Sequence, residues 1–184
     1  SVLISVEHIR VQTKESFAST VSGADLIIGA RTGSLNLLLY SVFRVGAPTN
    51  NISWSTYEDI SASDEIKWSI PFSLGDSHKG YRVLGTNQDY FRYFSYGAKH
   101  PLVFADGREF SDAFEVVLGS AVARELGYSP GSEILLSHGI SSADFNLHKG
   151  SPFTVTGILE PTGTPVDQTV HVSLQGLKAI HNSA

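Results

Sequence analysis

The chain has no cysteine and no methionine among its 184 residues. The first absence excludes disulfides and every thiolate chemistry, from metal ligation to a cysteine nucleophile. It leaves the compartment open, because a cysteine-free chain suits any redox environment. The second, together with a start at Ser1, leads us to expect a piece excised or processed from a longer protein. Charge is sparse at 17% and leans acidic, with 13 Lys and Arg against 18 Asp and Glu. A basic nucleic-acid footprint is therefore absent. Long apolar runs are missing too. The densest stretch, Leu35 to Val45, is interrupted by Asn36, Ser41 and Arg44 and falls well short of the roughly 20 residues a membrane helix needs. No basic region followed by an apolar core marks a signal peptide.

What remains is a chain 41% hydrophobic, ordinary for a folded domain or two small lobes. Val2 to Val21 carries a helical apolar stripe through Val2, Val6, Ile9, Phe17 and Val21, closed by Ser22-Gly23. The stripe starts without a cap, so the helix is expected to continue upstream. Asp25 to Ala30 reads as a buried strand, and Leu35 to Phe43 as a helix, with a loop over Gly46 to Asn51. Ser55 and Glu58 have capping-box spacing and predict a helix to Ser61. Strict alternation over Ile66 to Leu74 predicts a strand with one buried face, with Pro71 marking an edge or a bulge. Gly75 to Gly80 then reads as a turn and Tyr81 to Gly85 as the returning strand.

Further along, Asp89 to Phe94 predicts a short aromatic helix and Gly97 to Arg108 a loop. Phe114 to Leu118 predicts a strand, followed by a helix capped by Ser120 and stopped by Gly127. Glu133 to Leu136, Phe153 to Leu159 and Val170 to Leu174 complete the strands, with a polar excursion over Ser137 to Gly150. Leu177 to His181 begins a last helix. About seven short strands with helices between them make an α+β pattern.

The chemistry-bearing residues are thinly supported. Gly29 and Gly33-Ser34 follow a strand but lack the P-loop lysine and spacing. They are either an anion cradle at a helix N-terminus or, the simpler reading, a tight connection. The seven histidines show no H-x-H, H-x-x-x-H or H-E-x-x-H spacing. His138, Asp144 and His148 are the only grouping in which a weak metal site is conceivable, and a solvated loop explains them as well. His171 alternates with Val170 and Val172 and is expected on an exposed strand face. Ser120 sits at a strand-to-helix turn, but Val122 stands where a nucleophile elbow needs glycine, so a capping role is the expectation. Tyr90, Phe91, Tyr93, Phe94 and Tyr96 cluster with few basic neighbours and read as a packed waist between two lobes. The residues alone name no catalytic, cofactor-binding or metal site, and substrate or partner contacts stay unknown.

An ordered series of short motifs carries a resemblance. Val83-Leu-Gly85, Asp89-Tyr-Phe91, Gly107-Arg-Glu-Phe110, Val116-Val-Leu-Gly119 and Ala121 to Leu126 come first. Pro130-Gly131, Phe153 to Leu159 and Val170 to Leu174 follow. The set resembles the MacB-like periplasmic core domain of FtsX-type ABC transporter permeases, over about Asp25 to Leu174. The resemblance implies a two-lobed domain, a porter-like βαβ lobe with an inserted mixed α/β lobe, preceded by a stalk helix. Residues 1–23 would be the stalk from an excised transmembrane segment. Residues 24–86 plus 167–184 would form the first lobe, and 87–166 the second.

The implied role is non-enzymatic: an extracytoplasmic domain, in the bacterial periplasm or cell exterior, belonging to an inner-membrane protein. It would relay ATP-driven movement to a substrate or partner of peptide, lipid or lipoprotein class. ATP would bind a separate cytoplasmic subunit, and no cofactor is expected in this domain. A periplasmic adaptor or lipoprotein is a further possible partner, and the full permease is expected to be a homodimer. Gly29 to Asn51 departs from the better-known efflux members, which leaves the substrate open. Two competitors remain. One is a ligand-sensing module of a membrane receptor. The other is a hydrolase built on Ser120 or a histidine–carboxylate pair.

Overall fold

The computed structural model describes residues 52–138 and 152–182. The expected elements at Val2 to Val21, Asp25 to Ala30 and Leu35 to Phe43 lie outside these residues. So do Gly46 to Asn51 and most of the polar excursion. In chain order the described elements are α1 (Trp54–Ser61), β1 (Ser73–His78), β2 (Tyr81–Thr86), α2 (Asp89–Tyr93), β3 (Ser95–Tyr96) and β4 (His100–Pro101). Next come β5 (Phe104–Gly107), β6 (Glu115–Leu118), α3 (Ser120–Leu126), β7 (Glu133–Ile134) and β8 (Ser137–His138). The last are β9 (Phe153–Leu159), a 3-10 turn at Pro165–Gln168, β10 (Thr169–Ser173) and α4 (Leu174–Asn182).

One mixed sheet of eight strands organises the described residues, in the order β5-β9-β6-β10-β2-β1-β8, with β7 also paired to β9. β10 lies at its centre, parallel to β2 and antiparallel to β6. Strands assigned to both expected lobes therefore share hydrogen bonds within one sheet. A separate hairpin joins β3 to β4.

Both faces of this sheet are covered, and strand parity sorts the side chains. Val83, Val116, Leu118, Val170 and Val172 pack on one face with Val122 and Ala123 of α3 and Leu177 of α4. Leu84 and Val117 face the other way, beneath Tyr90, Phe91, Phe94, Leu102 and Phe110. β9 changes parity midway. Its pairing with β6 shifts between Val116 and Val117, so Phe153, Val155 and Ile158 serve the first face and Leu159 the second. One extra residue in a strand has this effect, because side chains alternate with period two.

Several boundaries move from the sequence expectation. The alternating run at Ile66 to Leu74 is not a strand until Ser73. Side chains replace the ladder there: Thr86 Oγ1 donates to the Pro71 carbonyl at 2.8 Å and Asn87 Nδ2 to the Ser69 carbonyl at 2.8 Å. The expected turn at Gly75 to Gly80 shrinks to Lys79-Gly80, with φ of 47° and 88°. Two successive positive φ values are what a two-residue hairpin turn needs. β1 thus runs on to His78, with a register shift between Leu74 and Asp76. The span read as a loop contains β5, a short edge strand against β9. Gly119 occupies the N-cap of α3 without a side-chain cap bond, so Ser120 is the first helical residue and not the cap. α1 is capped by Ser53, whose Oγ accepts from the Thr56 amide at 3.2 Å, in place of the expected Ser55–Glu58 pair. Gly127 stops α3 at φ 71°, as read from sequence, and β9 has the expected bounds.

Candidate functional site

The residues singled out for chemistry separate on the structure. The glycine loop at Gly29 to Ser34 and the Asp144 and His148 positions lie outside the described residues. His138 is placed in β8 opposite Asp76. Among the described residues no group of three or more His, Asp or Glu could hold a metal ion. Ser120 begins α3 at a junction where its neighbour Gly119 is pressed against the Val166 and Asp167 carbonyls.

His171 corrects the sequence expectation most clearly. It is fully buried, because the sheet face it points to is roofed by the aromatic rings of α2 and is not open to water. Its Nδ1–H donates to the Val117 carbonyl at 3.0 Å, and Nε2 accepts from the Tyr90 hydroxyl at 3.1 Å. A neutral imidazole satisfies both contacts with one donor and one acceptor. The aromatic cluster splits accordingly. Tyr90, Phe91 and Phe94 are core, with Tyr90 stacked on Phe94 at 5.0 Å from the His171 ring. Tyr93 stays half exposed against Trp68.

His78 is a second buried imidazole. Nδ1–H donates to the Leu135 carbonyl at 2.7 Å, and Nε2 accepts from the Tyr128 hydroxyl at 2.8 Å. Burial pushes its pKa below the ordinary histidine value, partly opposed by the Leu135 carbonyl and reinforced by Lys79. The folded state therefore binds fewer protons than the unfolded chain once pH falls below about 6.5. Stability contributed by neutral His78 is complete above that pH and declines as acid forces the ring to charge. Urea midpoints measured from pH 8 to pH 5 should fall on acidification, and His78→Gln should flatten that dependence. An unchanged slope in the variant would rule out His78 as its source.

Glu115 gathers the connection between β5 and β6. Arg108 grips it with Nη1 at 3.0 Å and Nη2 at 2.7 Å, and the Ser111 and Asp112 amides donate at 2.7 and 3.1 Å. The arginine, then the amides, overcome burial and hold the carboxyl at a pKa of about 2. Its stabilising effect is present above about pH 4.5 and is lost as pH falls through about 2. Since Arg108 is half exposed, solvent screening reduces the effect. Glu115→Gln is expected to cost about 1–2 kcal/mol at pH 7 and much less at pH 2.5, read by urea denaturation at both. Equal costs at the two pH values would refute the charge-based account.

The remaining buried carboxylates also serve architecture. Asp167 closes the β9–β10 connection, accepting from the Thr162 amide and hydroxyl, each at 2.8 Å, and from the Gly163 amide at 2.9 Å. Asp76, 1% exposed, meets His181 Nε2 at 3.0 Å and ties the last turn of α4 to β1.

α4 packs closely on the sheet. It follows β10 without a loop. Gly176 lies so close to Ala113 that a Cβ there would stand 2.2 Å from its carbonyl oxygen. Leu177 is buried against Gly85 of β2, and His181 reaches Asp76. These contacts tie α4 to three adjacent strands, β10, β2 and β1, of a sheet packed on both sides. Packed interiors deform little.

The motifs quoted from the sequence fall almost wholly on this framework. Leu84, Tyr90, Phe91, Phe110, Val117 and Leu159 build the core, while Gly107, Gly119 and Gly157 sit where backbones touch. No described helix is long and apolar enough to cross a membrane. No curated protein matches the chain. The family model of the MacB-like periplasmic core domain matches residues 1–183. The chain belongs to the MacB-like periplasmic core domain family, and is the extracytoplasmic domain of an ABC transporter permease.

Proposed function

We propose that this domain relays ATP-driven movement of an FtsX-type permease to a peptide, lipid or lipoprotein substrate, or to a periplasmic partner. The observation that carries this reading is the anchorage of α4 on β10, β2 and β1, three adjacent strands of a sheet covered on both faces. Force applied to that helix is resisted by the whole core and not by a single strand. ATP hydrolysis takes place on a separate cytoplasmic subunit. Residues 1–23 act as a stalk from the first transmembrane segment. Residues 24–86 with 167–184 form the porter-like part, and 87–166 the inserted part. The full permease works as a homodimer, with an adaptor or lipoprotein as a further partner. The domain itself performs no chemistry: its buried imidazoles and carboxylates are engaged in packing, which supports a mechanical role.

Crosslinking followed by purification of the full-length protein from native membranes tests this reading. A nucleotide-binding subunit is expected among the partners. Recovery without any such subunit, or a kinase or methyl-accepting region in the same polypeptide, would overturn it in favour of a receptor.

A further inference from the structure

α1 is the one described helix that buries none of its residues. It is eight residues long, and a helix of that length does not persist in water without packing. Trp54 is 55% exposed and meets Tyr57 of its own helix, ring centroids 5.5 Å apart. Among the described residues, one hydrogen bond joins an α1 side chain to the rest of the domain. Asn87 Nδ2 donates to the Tyr57 hydroxyl at 3.4 Å, beyond the usual range for such a bond.

The surroundings of that bond are unequal. The same Nδ2 donates to the Ser69 carbonyl at 2.8 Å, and Thr86 Oγ1 to the Pro71 carbonyl at 2.8 Å, so residues 69–71 stay tied to the end of β2 without help from α1. Residues 62–65, which lead from α1 into that segment, are all exposed. Asn87 Oδ1 is buried and has no hydrogen-bond partner among the described residues. A buried acceptor in that state opposes closure, and lifting the Tyr57 ring from the amide lets water satisfy it. We propose that α1 is a clasp, latched by Tyr57 on Asn87, that opens as one unit while the eight-stranded sheet stays folded. Opening uncovers the Asn87 amide and leaves the core unchanged. Segments of low local stability of this kind supply the moving parts of binding sites. The sheet is then the stiff part of the domain and α1 the part that yields.

Residue-resolved hydrogen exchange of the whole chain reads the clasp. The amides of Tyr57 to Ala62 are bonded in the closed helix. They are expected to share one protection factor, about a hundredfold or more below those of β2 and β10, and to hold it in urea below the global transition. Tyr57→Phe should lower all of them by a common factor of about three or more and leave the sheet amides untouched. Protection that falls off gradually from one end of α1 and ignores Tyr57→Phe overturns the proposal, because it describes fraying. Protection as high as that of the sheet overturns it too, by making α1 part of the core. Exchange at the rate of an unfolded chain also overturns it, since no closed form would then exist.

Discussion

Gly119→Ala is expected to lower the melting temperature by about 10–15 °C, from a loss of about 3–5 kcal/mol. A methyl group there would stand 2.2 Å from the Val166 carbonyl oxygen and 2.4 Å from that of Asp167. Neither is a side chain that can swing away. Both belong to the turn that delivers the chain into β10, and the Gly119 amide donates to the Thr169 carbonyl at 2.9 Å. Relief of the clash therefore pulls β10 away from β6 at the middle of the sheet. Gly127→Ala is the informative control. It has φ 71° but nothing within 4 Å of a Cβ, so it carries only the left-handed backbone penalty of about 1–2 kcal/mol. Differential scanning calorimetry should rank the two far apart. Similar melting temperatures would mean that the β6–β10 junction yields more readily than a packed backbone should.

His171→Leu is expected to cost about 2–4 kcal/mol despite its similar volume and greater hydrophobicity. The variant deletes two hydrogen bonds in a site with no access to water, one to the Val117 carbonyl and one from the Tyr90 hydroxyl. Tyr90→Phe alone should cost about 1 kcal/mol, and the double variant less than the sum, since both changes remove the same hydroxyl–imidazole bond. Chemical denaturation of the four proteins closes this cycle. Strict additivity would show that the two groups do not interact in solution.

Local sequence signals were legible where local physics decides. β9 shows as a run of alternating and β-branched residues, and the end of α3 shows as a glycine at the one position where L-residues pay for positive φ. The alternation at Ile66 to Leu74 misled, because a burial pattern does not guarantee a ladder partner. Asn87 and Thr86 side chains take the carbonyls that a neighbouring strand would have taken. His171 misled for a related reason. Period-two alternation places a residue on one face or the other but says nothing about whether that face is roofed. The roof comes from α2, some 80 residues earlier in sequence. Gly119 and Gly157 were visible as parts of motifs, yet their role became clear only once the opposing carbonyls of Val166 and Arg108 were in place. The hydrogen bonds of His78, Glu115 and Asp167 were not legible in the sequence, because each depends on a backbone group that only the folded turn or the neighbouring strand brings into reach.

The central claim is that this domain moves as a rigid lever. The absence of cysteine makes the chain suited to site-specific spin labelling. Labels at Arg82 of β2 and Glu133 of β7 in the full-length permease, compared by double electron–electron resonance with and without trapped nucleotide, test it most directly. The account predicts an unchanged distance within one domain, together with a changed distance between the domains of the two copies. A distance within the domain that shifts with nucleotide, while the separation between copies stays fixed, would contradict it.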